Sequence, residues 1–276
     1  MKLATIQMVS GVSVPANLER AGVLLDAAAA AGTELAILPE YFCLLGARDT
    51  DKLAVQEVFG HGTIQTFMSE RARKLGMWIA AGTMPIHCEE ASASGGERVF
   101  NSQLVFSPQG ICVARYDKMH LFRFDNGRER YDESRVLQPG TQPCLFTLPS
   151  RDGHAWRIGL SVCYDLRFPE LYRLYAAQGA HLLLVPSAFT HTTGQAHWET
   201  LLRARAIENL CFVAAPAQGG LHENGRRTWG HSMLVDPWGV VAHERAEGEG
   251  VDVADLDYAQ LARCRHQLPA LEHRVV

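Results

Sequence analysis

The chain opens with an apolar run over residues 2–9 that has the length of a strand, followed by a change of period. Leu18, Ala21, Leu24, Leu25 and Ala28 recur at three- and four-residue spacing, which predicts an amphipathic helix over 17–31 closed by Gly32. A strand at 34–38 stops at Pro39-Glu40, a helix at 63–75 is closed by Gly76, and 78–81 reads as a third strand. This alternation predicts a layered α/β architecture. Residues 89–97 lack apolar periodicity and read as a loop. Residues 102–106 and 111–115 flank the turn sequence Ser107-Pro-Gln-Gly110, and 231–235 and 240–243 flank Asp236-Pro-Trp-Gly239, so each pair reads as a hairpin. Residues 121–141 are polar and long for a connection, a property common in functional loops. Strands are expected at 145–148, 156–162, 181–185, 211–215 and 251–255. A helix at 169–178 is framed by Pro169 and Gly179, and one at 195–209 carries Trp198, Leu201, Leu202 and Ala206 on its buried side. No shift of composition marks a linker and no segment repeats, so one domain over 1–276 is expected.

The 276 residues are 47% hydrophobic, enough to bury a large core without disulfides or metal. The formal net charge is -4, with both signs interspersed and no long basic run, which argues against a nucleic-acid or anionic-membrane partner. The seven cysteines (43, 88, 112, 144, 163, 211 and 264) are odd in number, lack a C-x-x-C pair and lie mostly in apolar runs. That pattern fits free thiols in a reducing compartment, and with no signal-peptide core or membrane-length run a cytoplasmic protein is expected. Metal-binding H-E-x-x-H, nucleotide-binding G-x-x-x-x-G-K-[ST], dinucleotide-binding G-x-G-x-x-G and the serine-hydrolase G-x-S-x-G are all absent, so neither a metal nor a cofactor is expected.

Three residues stand where chemistry is commonly placed. Cys163 ends the apolar run that starts at Trp156 and precedes the turn into the Pro169 helix. A cysteine in a strand is ordinarily a small buried hydrophobe, but one at a strand end beside a helix N-terminus is placed to be a nucleophile. Glu40 sits at the mouth of the 34–38 strand; in isolation it would read as a solvated turn carboxylate, and facing a thiol it becomes a general base. Lys118 follows the 111–115 strand and would be an ordinary surface charge unless it lies near Cys163, where it would favour a thiolate or an oxyanion.

Together these segments resemble the nitrilase, or carbon–nitrogen hydrolase, superfamily. Leu38-Pro39-Glu40 is similar to the segment carrying that family's glutamate, Tyr116-Asp117-Lys118-Met119-His120-Leu121-Phe122 to that of its lysine, and Gly159 through Glu170 to that of its cysteine nucleophile. Residues 193–209 and 230–239 resemble the branch that contains deaminated glutathione amidase and omega-amidase. The resemblance implies a four-layer α-β-β-α sandwich and a homodimer, or higher homo-oligomer, joined through the helices at 169–178 and 195–209 and the C-terminal tail. It implies an amidase that hydrolyses a small carboxylate-bearing amide to acid and ammonia through a Cys163 thioester. Glu40 would be the base, Lys118 and the Tyr164 N–H would hold the oxyanion, and Glu133 would be a second glutamate orienting Lys118 or the water. Arg167 would bind a substrate carboxylate or instead pair internally with Asp165 or Glu170; His120, Phe189, Thr190 and Trp198 would line the pocket. The alternatives are an omega-amidase, a nitrilase, and a catalytically silent binding or redox-sensing protein.

Overall fold

The computed structural model describes residues 1–89 and 97–275. The loop expected at 89–97 therefore lies almost entirely outside the described residues. The N-terminal half builds six strands of a seven-stranded sheet. Its central strands β1 (Lys2–Gln7), β2 (Leu35–Ile37) and β3 (Trp78–Ala80) are parallel. It is extended by β4 (Met84–His87), β5 (Val99–Phe106) and β6 (Cys112–Asp117), all antiparallel, with β5 between β3 and β4 and β6 joined to β5. Side chains alternate across this sheet. Ala4, Ile6, Ala36 and Ile79 point to α1 (Val14–Ala30) and α3 (Thr63–Leu75), with α2 (Asp51–Ala54) a single turn between them. Leu3, Leu35, Ile37, Ala80 and Val105 belong to the core shared with the second sheet. This period-two division places one sheet between a helical layer and another sheet.

The long polar stretch contains a small hairpin, β7 (Arg123–Asp125) with β8 (Arg130–Asp132), and a 3-10 turn at Glu133–Arg135. The second sheet follows. Strands β10 (Ala155–Leu160), β11 (Leu182–Leu184) and β12 (Phe212–Ala215) are parallel, β9 (Cys144–Pro149) lies on one edge, and β15 (Ser232–Val235) and β16 (Val241–Arg245) on the other. Its outer face is covered by α4 (Pro169–Ala177) and α5 (His191–Asn209), which bury Leu171, Tyr172, Tyr175, Trp198 and Leu202. Gly159 is required here: a Cβ would stand 2.7 Å from the Tyr175 ring. That approach lets the Tyr175 hydroxyl donate to Leu160 O at 2.6 Å and accept from Cys144 N–H at 3.0 Å. A two-stranded ribbon, β13 (Gly219–Leu221) with β14 (Arg227–Trp229), precedes β15. Strand β17 (Gly250–Asp255) returns to pair antiparallel with β1, and α6 (Tyr258–Gln267) follows it. The result is the α-β-β-α sandwich. No described helix is long and apolar enough to cross a membrane.

Several boundaries shift from the expected ones. The first helix begins at Val14 because Pro15 in its first turn needs no N–H partner. The helix expected from 195 begins at His191, capped by the Thr190 hydroxyl, which accepts from Thr193 N–H.

Candidate active site

The parallel strands of both sheets end in the same region, and the chain puts its chemistry there. Beyond β2, Leu38-Pro39 carries Glu40 inward. Gly82 makes this possible: at φ +47 it lies so close that a Cβ would sit 2.0 Å from Pro39 O. Tyr41 then turns the chain through φ +56, its N–H donating to Thr83 Oγ1 at 2.9 Å. Beyond β10, Cys163 itself adopts φ +50, a costly conformation for a non-glycine residue, with its N–H donating to Pro186 O at 3.0 Å. Two of the four described non-glycine residues with positive φ are thus Cys163 and the neighbour of Glu40.

Lys118, at the end of β6, is 1% exposed and bridges the carboxylates. Its Nζ donates to Glu40 Oε1 at 3.0 Å and to Glu133 Oε1 and Oε2 at 2.9 and 2.8 Å. Glu40 also accepts from Asn101 Nδ2 on Oε1 and from the Ala188 N–H on Oε2, both at 2.9 Å. The second of these contacts ties the first sheet's carboxylate to the loop after β11 in the second sheet. Glu133 further accepts from the Tyr41 hydroxyl at 2.9 Å and the Phe122 N–H at 2.7 Å. Burial opposes the Lys118 charge, yet Glu133 and Glu40 outweigh it and hold the ammonium well above its usual range. Burial likewise opposes the Glu133 charge, and Lys118 overcomes it to lower that carboxyl.

The Cys163 thiol is pushed well up, first by burial and then by the Glu40 charge, with Lys118 pulling the other way. The expected position of Cys163 beside a helix N-terminus is corrected. Residues Cys163–Arg167 form a 3-10 turn that separates the thiol from α4, and two carboxylates surround it. The resting pair is a thiol held up by the charge of a neighbouring base. Such a pair moves its proton when the nucleophile attacks.

Cys163 opens into a cleft of about 210 Å³ whose walls include Phe122, Tyr164, Arg167, Phe189, Thr190 and Thr193. Four of the six expected pocket residues are brought together there, and two are not. His120 is withdrawn: its Nδ1 and its backbone N–H both bond Asp165 Oδ1, at 2.7 and 3.0 Å, and its ring stacks on Phe168. Trp198 is fully buried behind Phe189, its Nε1 donating to His231 O at 2.8 Å. The internal salt bridges considered for Arg167 are not formed among the described residues. Asp165 is committed to Tyr116, His120 and the Val162 N–H, and the guanidinium lies over the Tyr164 and Phe189 rings, with Nη1 near His197 Nδ1. Sequence reasoning missed Tyr41, Asn101 and the Ala188 N–H. The one local signal was the polar run Asn101-Ser102-Gln103 between apolar residues. Among the described residues no cluster of three or more His, Cys, Asp or Glu is arranged to hold a metal ion.

The carbon-nitrogen hydrolase family model matches residues 2–266. A deaminated glutathione amidase of Synechocystis sp. is 39% identical over 274 residues, covering 99% of this chain and 97% of that protein. The omega-amidase NIT2 of Danio rerio is 35% identical over 274 residues, covering 99% and 94%. Among solved structures, the C. elegans NitFhit protein superposes with a TM-score of 0.87 at 36% identity, covering 99% of this chain and 65% of that one. A family match across nearly the whole length, on a fold whose strand ends gather cysteine, lysine and two glutamates, places this chain in the carbon–nitrogen hydrolase family, as a hydrolase of C–N bonds other than peptide bonds.

Proposed function

We propose that this enzyme hydrolyses a carboxylate-bearing amide, deaminated glutathione foremost, through a thioester on Cys163. The observation that carries the reading is the convergence of Glu40, Lys118, Glu133 and Cys163, from four separate segments, with one buried ammonium within 3.0 Å of both carboxylates. Glu40 takes the thiol proton as sulfur attacks the amide carbon. The oxyanion that forms is met by Lys118 and the Tyr164 N–H. The hydrogen bonds of the flanking Cys163 and Asp165 N–H groups, to Pro186 O and Val162 O, leave that donor to the cleft. Glu40 passes its proton to the departing nitrogen, then draws one from the water that cleaves the thioester and restores the thiol. Glu133, with both oxygens on Lys118, is a positioning residue for the ammonium. The departing group depends on the amide. A primary amide releases ammonia, whereas deaminated glutathione, whose γ-carbonyl is bonded to a dipeptide nitrogen, releases that dipeptide.

Arg167 supplies the cation for a substrate carboxylate on the acyl side, the Tyr164 and Phe189 rings holding its guanidinium at the cleft wall. The whole chain acts as one hydrolase domain in the cytoplasm and works as a homodimer through α4, α5 and the C-terminal tail. In support, Leu174 on α4 and Ile207 on α5 are 41% and 47% exposed. The mechanism is tested with Cys163→Ala. Release of α-ketoglutarate from deaminated glutathione and from α-ketoglutaramate should vanish while the circular dichroism and Tm stay near wild type. Retained turnover would remove Cys163 from the chemistry.

A further inference from the structure

A second cleft, about 380 Å³, has Glu133 in its wall. Its walls include Tyr41, Lys52, Phe122, Tyr131, Glu133 and Arg226, and Phe122 is common to both clefts. We infer that this cleft is a leaving-group subsite, in which Lys52 and Arg226 hold the carboxylate of an amine released from the amide. The inference rests on the reading of the chain as an amidase with Cys163 as nucleophile and Arg167 on the acyl side. A tetrahedral centre on Cys163 carries, besides sulfur and oxygen, one acyl chain and one nitrogen. With the acyl carboxylate at Arg167, the nitrogen substituent is left to the second cleft, across the shared Phe122 wall.

The two cations there are built in. Lys52, on the short helix α2, has a side chain 10% exposed, and its Nζ lies 4.6 Å from the Tyr41 ring centroid. Its ion pair with Asp49 is long, 3.9 Å, and that carboxylate is 62% exposed. Arg226 stands at the tip of the β13–β14 ribbon over the Tyr131 ring, and no described carboxylate forms a salt bridge with it. The tip is pinned: Asn224 Nδ2 donates to Leu45 O and Gly46 O at 3.2 and 2.6 Å, and its Oδ1 accepts from the Arg226 N–H at 2.9 Å.

Three acids share these walls: Asp49, in the long pair with Lys52, and Asp132 and Glu133, which are engaged elsewhere. Asp132 accepts from the Ser134 N–H and hydroxyl, and Glu133 from Lys118, Tyr41 and Phe122. Burial lowers the Lys52 ammonium; Asp49 and Glu133 oppose this, and Arg226 adds to it by repulsion. A carboxylate received between the two cations relieves that repulsion and forms charge-assisted bonds to each. Ammonia, the product of a primary amide, has no use for such a site. The substrate class is therefore an N-substituted amide with a second carboxylate on its amine portion.

The test compares kcat/KM for deaminated glutathione, for its C-terminal carboxamide, and for α-ketoglutaramate, which shares the acyl part but releases ammonia. In the unaltered enzyme the carboxamide should be at least tenfold poorer than deaminated glutathione. In Arg226→Met and Lys52→Met the ratio of deaminated glutathione to α-ketoglutaramate should fall at least tenfold, and Arg226→Lys should restore part of it. A carboxamide as good as the acid, or ratios unchanged within twofold, overturns the subsite. Hydrolysis of α-ketoglutaramate alone overturns the subsite and leaves the amidase reading standing; hydrolysis of neither amide overturns both.

Discussion

Replacing Lys118 with methionine removes the one cation shared by two buried acids, and the structure sets the size of the consequence. Glu40 is 1% exposed and Glu133 is only partly exposed, and both lie within about 3 Å of the same nitrogen. Breaking a buried ion pair from one side costs about 3–5 kcal/mol, because the remaining charge stays desolvated. The wild-type network has a defined pH window. The raised Lys118 contributes stability that is complete below about pH 10 and is lost as pH climbs through its higher folded value; the lowered Glu133 contributes stability that is present above about pH 4.5 and is lost as pH falls through its folded value. Between those limits both contribute fully. In Lys118→Met the carboxylates confront burial and each other, so a proton taken up at lower pH relieves the variant. Urea unfolding should therefore show a deficit of about 3–5 kcal/mol at pH 7.5, a midpoint lower by more than about 1 M, and a clearly smaller deficit at pH 5. The turnover number should fall by at least about 10²–10³, the usual loss for one oxyanion donor. A deficit under about 1 kcal/mol at pH 7.5, or the same deficit at both pH values, would refute the electrostatic reasoning.

Other consequences follow from neighbouring residues. Glu40→Gln removes a charge that holds the Cys163 thiol up, so the pH midpoint for alkylation of Cys163 by iodoacetamide, read on its peptide by mass spectrometry, should fall while hydrolysis is lost; an unchanged midpoint would show that Glu40 does not face the thiol. Arg167→Met should raise KM for an anionic amide about tenfold or more, the value of one charge-assisted bond, with a smaller effect on an uncharged amide; equal effects on both would make the residue structural. Leu174→Asp and Ile207→Asp place charges on the exposed apolar positions of α4 and α5 and should shift the sedimentation coefficient from dimer to monomer, whereas unchanged sedimentation would move the interface elsewhere.

The parts of this fold that could be read from the chain are those whose cause is local. Thr63–Leu75 matches the expected span because its apolar stripe fills that span and the left-handed Gly76 follows it directly. The hairpins at Ser107–Gly110 and Asp236–Gly239 were legible from their turn residues. Strand β4 was not: Pro85 breaks the pattern, and it is tolerated because β4 lies at the sheet edge. Helix α6 buries only Leu261 and Cys264, too narrow a stripe to stand out. The β13–β14 ribbon is two three-residue strands, one of them starting with paired glycines. At the site, Glu40, Lys118 and Cys163 were visible as reactive groups at strand ends. Tyr41, Asn101 and Arg226 were not, because what distinguishes each is a partner far away in sequence, and Lys52 was not, because its burial is set by the tertiary fold. The withdrawal of His120 and Trp198 is the same lesson in reverse: each lies close in sequence to pocket residues, and each is taken by a tertiary hydrogen bond.

The pairing of β1 with β17 has a consequence for how the protein is made. Strand β1 is finished at Gln7, but its outer neighbour begins only at Gly250. At roughly 5–20 residues per second, a ribosome leaves that backbone edge open for roughly 12–50 s. Throughout synthesis the emerging chain thus presents an unpaired, apolar strand carrying Leu3, Ala4 and Ile6, a template for joining another nascent copy. Yield in the cell should accordingly depend on translation speed and chaperone supply, and slowing elongation late in the message should increase aggregation even though the finished enzyme is unchanged.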